Sequence, residues 1–171
     1  MSSKKGGFIK TINRPAAFLF DGMLGRLCRK MRLLGFDSRI NPPSEKGRFL
    51  INADRENRLA VTLSKRQTDR PGSAPLILES AGISDQITEL ILSLKQPQAP
   101  EPFTRCLECN TILKELPARE ARLRVPDYIA GKFNEFLECS ECGRVYWKGT
   151  HFTAMAAEVE KIKRRIDEEI V

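Results

Sequence analysis

Short apolar runs alternate with longer amphipathic stretches through the first half of the chain. Ala16-Ala17-Phe18-Leu19-Phe20-Asp21 reads as a buried strand that ends in an acid. From Met23 to Leu34 the apolar positions Met23, Leu24, Leu27, Met31 and Leu34 recur at helical spacing, while Arg26, Arg29 and Lys30 gather on another side. Gly35 is placed to close that helix as a C-terminal cap. Phe36 to Asn41 predicts a second strand, stopped by Pro42-Pro43, and Glu45 to Asn57 a second helix with Phe49, Leu50 and Ala53 inward. Arg58 to Leu63 and Leu76-Ile77-Leu78 predict a third and a fourth strand. Ser84 to Leu94 predicts a helix with Ser84 as N-cap and Ile87, Leu90 and Ile91 as core contacts. Strands alternating with helices imply a layered α/β domain built on a parallel sheet.

Breaker residues divide the chain. Residues 1–15 form a basic leader expected to be flexible, and residues 16–95 the α/β domain. Residues 96–102 (QPQAPEP) are a proline-rich linker. A small module follows over residues 103–150, then a C-terminal helix over 151–171, in which Met155, Val159, Ile162 and Ile166 are spaced by four, three and four. That stripe must cover something, most simply the module or the first domain, and it also leaves room for a protein partner. Lys65 to Pro75 reads as a polar loop.

The module carries the sharpest chemical signal. Cys106-Leu-Glu-Cys109 and Cys139-Ser-Glu-Cys142 are two C-x-x-C knuckles. Two residues between thiolates let both sulfurs face one cation about 2.3 Å away, and two knuckles complete a tetrahedron suited to zinc. All four positions are cysteine, which favours a structural site over a catalytic one with an open position for water. Gly143 supplies the positive φ that such a turn often needs. The long gap between the knuckles suggests a ribbon with an extended loop. A single C-x-x-C would leave a redox dithiol open; the pair argues against it. Cys28, among apolar neighbours, reads as a small core residue.

Composition and charge narrow the function. The 171 residues suffice for one sizeable core plus a metal-held module, and no run is long enough to cross a bilayer. Residues 1–7 lack an apolar signal region, and zinc-type cysteines suit a reducing cytoplasm. Up to Arg39 there are nine basic and two acidic residues, 9 − 2 = +7, which equals the net charge of the whole chain. Positive charge concentrated at one end favours a polyanion, nucleic acid first, although a solubilising tail and an ordinary solvated helix face would look the same. No glycine-rich phosphate loop precedes the first helix. The chain's one histidine, His151, allows no Ser/His/Asp arrangement and reads as a packed or hydrogen-bonded residue.

Phe20-Asp21-Gly22-Met23-Leu24-Gly25-Arg26-Leu27, then residues 31–37 (MRLLGFD), Arg58-Leu59-Ala60-Val61-Thr62, Asp85-Gln86 and the run Val145-Tyr146-Trp147-Lys148-Gly149-Thr150-His151 after a knuckle together carry a resemblance. Over about residues 16 to 160 the chain resembles the family named for the C-terminal RNase domain of the Mut-seven exonuclease. The resemblance implies a PIN-like α/β domain with a parallel sheet, an added four-cysteine zinc ribbon and the C-terminal helix. It further implies RNA as substrate and phosphodiester hydrolysis assisted by Mg²⁺ or Mn²⁺. Such ions take hard oxygen ligands from carboxylates converging at strand ends. Asp21 matches the family's first-strand acid, and Glu45 falls near the acid expected before the second helix. Where the family's third strand reads Thr-Arg-Asp, this chain has Thr62-Leu63-Ser64, so one carboxylate is missing. Asp69 in the loop, or Glu79 and Asp85 after the fourth strand, are the candidates to supply another. Arg26, Arg29 and Lys30 are the expected phosphate contacts. Two readings stay open: a nuclease with an incomplete acid set, and a non-catalytic, zinc-containing RNA-binding protein in which Tyr146 and Trp147 either stack on bases or pack the ribbon.

Overall fold

The computed structural model describes residues 16–66, 73–94 and 100–170. The basic leader, Asp69 and most of the proline-rich linker lie outside these residues. Strand β1 (Ala17–Phe20) leads through a 3-10 turn (Gly22–Leu24) into helix α1 (Gly25–Leu33), and β2 (Asp37–Ile40) follows. A second 3-10 stretch (Pro43–Arg48) precedes α2 (Phe49–Arg55), then come β3 (Leu59–Thr62), β4 (Leu76–Ile77) and α3 (Ile83–Ser93). The four strands pair in parallel in the order β2-β1-β3-β4. The chain is α/β, as its alternating pattern predicts.

Strand β1 is buried on both faces, which is why it reads as an unbroken apolar run rather than an alternating one. Side chains still alternate across the sheet. Phe18 and Phe20 join one core with Leu27, Met31, Ile87, Leu90 and Ile91 of α1 and α3. Leu19 points the other way and packs with Ala60 against Phe49, Leu50 and Ala53 of α2. The result is three layers, with α2 alone on one face.

Gly35 has φ +89°, and a Cβ there would overlap the Glu101 carbonyl oxygen, which is backbone and cannot swing aside. Gly35→Ala is therefore expected to destabilise by more than ~1–2 kcal/mol, since left-handed strain and the clash add. A thermal melt of the variant matching the parent would contradict this.

Two helix details depart from expectation. Met23 is 82 % exposed, because Gly22–Leu24 winds as a 3-10 turn and carries it off the α1 face. Ser84 is not the N-cap of α3; Gly82 holds that position, without a side-chain cap, and the Ser84 carbonyl accepts from Thr88 Oγ1 at 3.1 Å inside the helix.

The C-terminal half holds a second, antiparallel sheet of β5 (Lys114–Leu116), β6 (Phe136–Glu138) and β7 (Val145–Trp147) in that order. Between β5 and β6 lie two one-turn helices, α4 (Ala118–Ala121) and α5 (Asp127–Ala130). The stretch between the knuckles is thus no plain loop. Leu116, Ala121, Val125, Ile129, Ala130 and Phe136 form a small core of their own, with Trp147 packed against it. Helix α6 (Thr150–Ile170) ends the chain. Its Val159, Ile162 and Ile166 belong to the same core as β1, α1 and α3, so its apolar stripe covers the α/β domain. Among the described residues, no helix is long and apolar enough to cross a membrane.

Candidate metal centre and strand-end site

The four cysteine sulfurs lie within 4.8 Å of one another, and among the described residues no other group of three or more His, Cys, Asp or Glu ligand atoms is so placed. Cys106 Sγ and Cys142 Sγ are 3.7 Å apart. A tetrahedron with metal–sulfur bonds of about 2.3 Å has edges of about 3.8 Å, so the spacing fits a four-coordinate metal such as zinc. The knuckle turns have the expected backbone. The Asn110 and Gly143 amides donate to the Cys106 and Cys139 carbonyls at 2.9 Å, and both residues take positive φ, 71° in each case.

The sulfurs' proton affinities are split. Burial opposes charge on Cys106, but the Tyr146 hydroxyl and the Cys109 and Glu108 amides outweigh it and bring the thiol down to about 6. Cys109, chiefly through its hydrogen bond with Cys142, is pushed up to about 12. Sulfurs this crowded cannot all carry charge unless a cation sits among them. Tyr146 donates its hydroxyl to Cys106 Sγ at 3.1 Å and so orients a ligand of the four-cysteine cluster. Burial and the Cys106 sulfur together keep its phenolic proton in place, its affinity well above the ordinary tyrosine value.

The first knuckle is bolted to the α/β domain by a buried cation. Arg32 of α1 is 7 % exposed. Its Nε donates to the Ser38 carbonyl at 2.7 Å, and its Nη1 to the Leu107 and Glu108 carbonyls at 2.8 and 2.5 Å. Asn110 adds a second clamp: its Nδ2 donates to Asp37 Oδ1 at 2.7 Å, and its Oδ1 accepts from the Ser38 amide at 2.9 Å. Asp37 also receives Arg58 Nη1 at 2.6 Å. Burial opposes the Asp37 charge, but these donors prevail and hold the carboxyl below the usual carboxylate range. In the sequence Arg32 stands out only as one of the nine basic residues up to Arg39 and as part of the 31–37 motif. The available signal was its place four residues after Cys28, on the buried face.

The acids sit at or near the carboxyl ends of the parallel strands, where an open sheet binds ligands. Phe20 pairs with Ile40 and with Val61, so the next residues, Asp21, Asn41 and Thr62, form a row across three strands. Thr62 Oγ1 donates to Asp21 Oδ2 at 2.9 Å and accepts from the Ser64 amide at 3.0 Å. Thr62, the last residue of β3, therefore braces Asp21, and the Ser64 backbone amide orients the Thr62 hydroxyl. Glu45 reaches this row through two buried amides. Asn52 Nδ2 donates to Glu45 Oε2 at 2.6 Å and to Asn41 Oδ1 at 3.1 Å, while Asn41 Nδ2 donates to the Glu45 carbonyl at 3.1 Å. Asn41 and Asn52 were not picked out from sequence, though an asparagine between Leu50 and Ala53 on the inward face of α2 is a visible irregularity.

The other two acids stand further along. Glu79 is exposed, 3.8 Å from Lys65, and lines a cleft of about 630 Å³ together with Leu63, Ser80 and Gln86. Asp85 pairs with Arg165 of α6 at 2.5 Å.

On α1, Arg26, Arg29 and Lys30 line a groove of about 260 Å³ floored by Leu33, Leu107 and Met155. Arg29 pairs with Glu108, and Lys30 with Glu158 at 2.5 Å, whereas Arg26 has no ion-pair partner among the described residues. Cys28 is buried, and burial pushes its thiol up, so it stays a neutral core group. His151 is exposed at the start of α6.

A three-layer parallel α/β domain with acids at its strand ends, joined to a four-cysteine cluster placed to hold a metal, is the architecture the chain presents. The sequence profile of the Mut7-C RNAse domain matches residues 16–159, and the chain belongs to that family. The family suggests a nuclease-type function. No curated protein and no solved structure matches the chain.

Proposed function

We propose that the protein is a PIN-like, divalent-metal-dependent ribonuclease with a reduced acid set. The observation that carries this reading is Asp21 at the end of the sheet's inner strand β1, its carboxylate braced by Thr62 and flanked by Asn41, with Glu45 tied into the same row. Asp21 and Glu45 would hold the Mg²⁺ or Mn²⁺ ion, which polarises the phosphate and lowers the pKa of a bound water. Glu79 would approach from the β4 side of the cleft. Asp85 would have to leave Arg165 to take part. Arg26 contacts phosphate directly, and Arg29 and Lys30 exchange their carboxylate partners for phosphate. That exchange costs little, since exposed ion pairs are worth about 0–1 kcal/mol. The four-cysteine module holds zinc and fixes the far wall of the groove. Four thiolate ligands suit a reducing cytoplasm.

The test is cleavage of a labelled single-stranded RNA with Mg²⁺ or Mn²⁺. Asp21→Asn is expected to slow it at least ~100-fold, equivalent to about 2.7 kcal/mol of barrier. A wild-type protein that cleaves with neither metal overturns the reading. A second reading, a non-catalytic RNA-binding protein, is favoured by Ser64 in place of the third-strand acid and by the cysteines being the only ligand cluster among the described residues. Salt-sensitive RNA affinity that survives both Asp21→Asn and metal removal would select it.

A further inference from the structure

We propose that Asn52 is a positioning residue that holds the Glu45 carboxylate in place for a divalent ion at the strand ends. This rests on the nuclease reading above. Asn52 is 3 % exposed and sits on the face of α2 that packs Phe49, Leu50 and Ala53 into the core. An asparagine there breaks the apolar pattern, and such breaks concentrate at functional sites. Its amide nitrogen is used twice, to Glu45 Oε2 and to Asn41 Oδ1, but its Oδ1 is buried with no partner. A buried acceptor without a donor calls for an explanation, and water belonging to a hydrated ion would supply the donor.

The geometry has a direction. Asn41 is anchored by its own amide, which donates to the Phe20 carbonyl at 2.8 Å, and by its side chain to the Glu45 carbonyl. Glu45 is thus held at both ends, its backbone by Asn41 and its carboxylate by Asn52. Asn41 in turn is the register neighbour of Asp21. Glu45 sits at a break in the 3-10 stretch, with φ −113° and ψ 22°, so its own turn does little to orient it. Without Asn52 the carboxylate would keep its charge but lose its fixed position. Partners that orient a metal ligand in this way typically change metal affinity 10- to 100-fold when removed.

The experiment measures Mn²⁺ binding to the zinc-loaded full chain by the electron paramagnetic resonance signal of free Mn²⁺. It uses Asn52→Leu and Asn52→Ala, each alone and combined with Glu45→Gln, with a thermal melt of every variant. Asn52→Leu is expected to weaken Mn²⁺ binding ~10-fold, and to change it less than ~2-fold once Glu45 is glutamine, because its effect passes through that carboxylate. Unchanged Mn²⁺ binding in a folded Asn52 variant overturns the proposal. So does an equal loss in the Glu45→Gln background, or failure of both Asn52 variants to fold, since either marks a purely structural role. A wild-type chain that binds no Mn²⁺ overturns the nuclease reading and this proposal together; one that binds Mn²⁺ while folded Asn52 variants match it overturns this proposal alone.

Discussion

Stripping the metal from the four-cysteine centre is expected to collapse the C-terminal module and loosen the α/β domain with it. Strands β5, β6 and β7 are three residues each, and the module's own core holds six buried side chains, too few to stand without a staple. Structural zinc contributes on the order of 10 kcal/mol to such modules. The first knuckle is joined to α1 and β2 through Arg32 and Asn110, so its loss strands buried donors in the first domain. A strong chelator, or Cys139→Ser, should remove β-sheet signal from the far-ultraviolet circular dichroism. The melting temperature should fall by ~10 °C or more, given about 2–4 °C per kcal/mol for a chain of this size. A chelated protein with an unchanged spectrum and melt would refute the structural-metal assignment.

Arg32→Leu is expected to be the most damaging single change outside the cysteines. It leaves the Ser38, Leu107 and Glu108 carbonyls without their donor in a seam that is buried at Ser38 and part-buried at the knuckle. Hydrogen bonds from a charged group are worth ~1.5–3 kcal/mol each, but Nη1 is shared between two acceptors, so the three do not add fully. A loss of ~3–5 kcal/mol follows, readable in a denaturant titration. Arg32→Lys should recover little of it, because one ammonium cannot reproduce a planar fork that serves two segments at once. Full rescue by lysine would mean that only the charge matters, and the docking role would fall.

Most of the α/β domain was legible because its signals are local. The run from Ala16 to Phe20, the spacing of Leu24, Leu27 and Met31, and Gly35 at a helix end each depend on nearby residues and survive into the structure. Errors came where a local rule had a close competitor. Ser84 has the chemistry of an N-cap, but the cap falls two residues earlier, at Gly82. Met23 fits a helical stripe, but a 3-10 turn rotates it outward. The stretch between the knuckles looked structureless because α4 and α5 are single turns, too short to show a period.

The candidate site was readable only in part. Asp21 and the cysteine pairs announce themselves by residue type, position and spacing. Asn41, Asn52 and Arg32 do not, since a polar residue on an apolar face has no meaning until the group it reaches is known. Asp85 looked like a free acid in sequence and is occupied by Arg165, eighty residues away in the chain.

Residue order alone was enough to establish a parallel α/β domain, a four-sulfur metal centre and a family, because periodicity, breaker residues and C-x-x-C spacing act over a few positions. Folding in three dimensions settled what covers α6, which cations are already paired, how the first knuckle is docked, and that Glu45 is held by Asn52. Those outcomes depend on contacts between residues far apart in the chain, and such contacts form only when burial brings them together and leaves each polar group to find a partner.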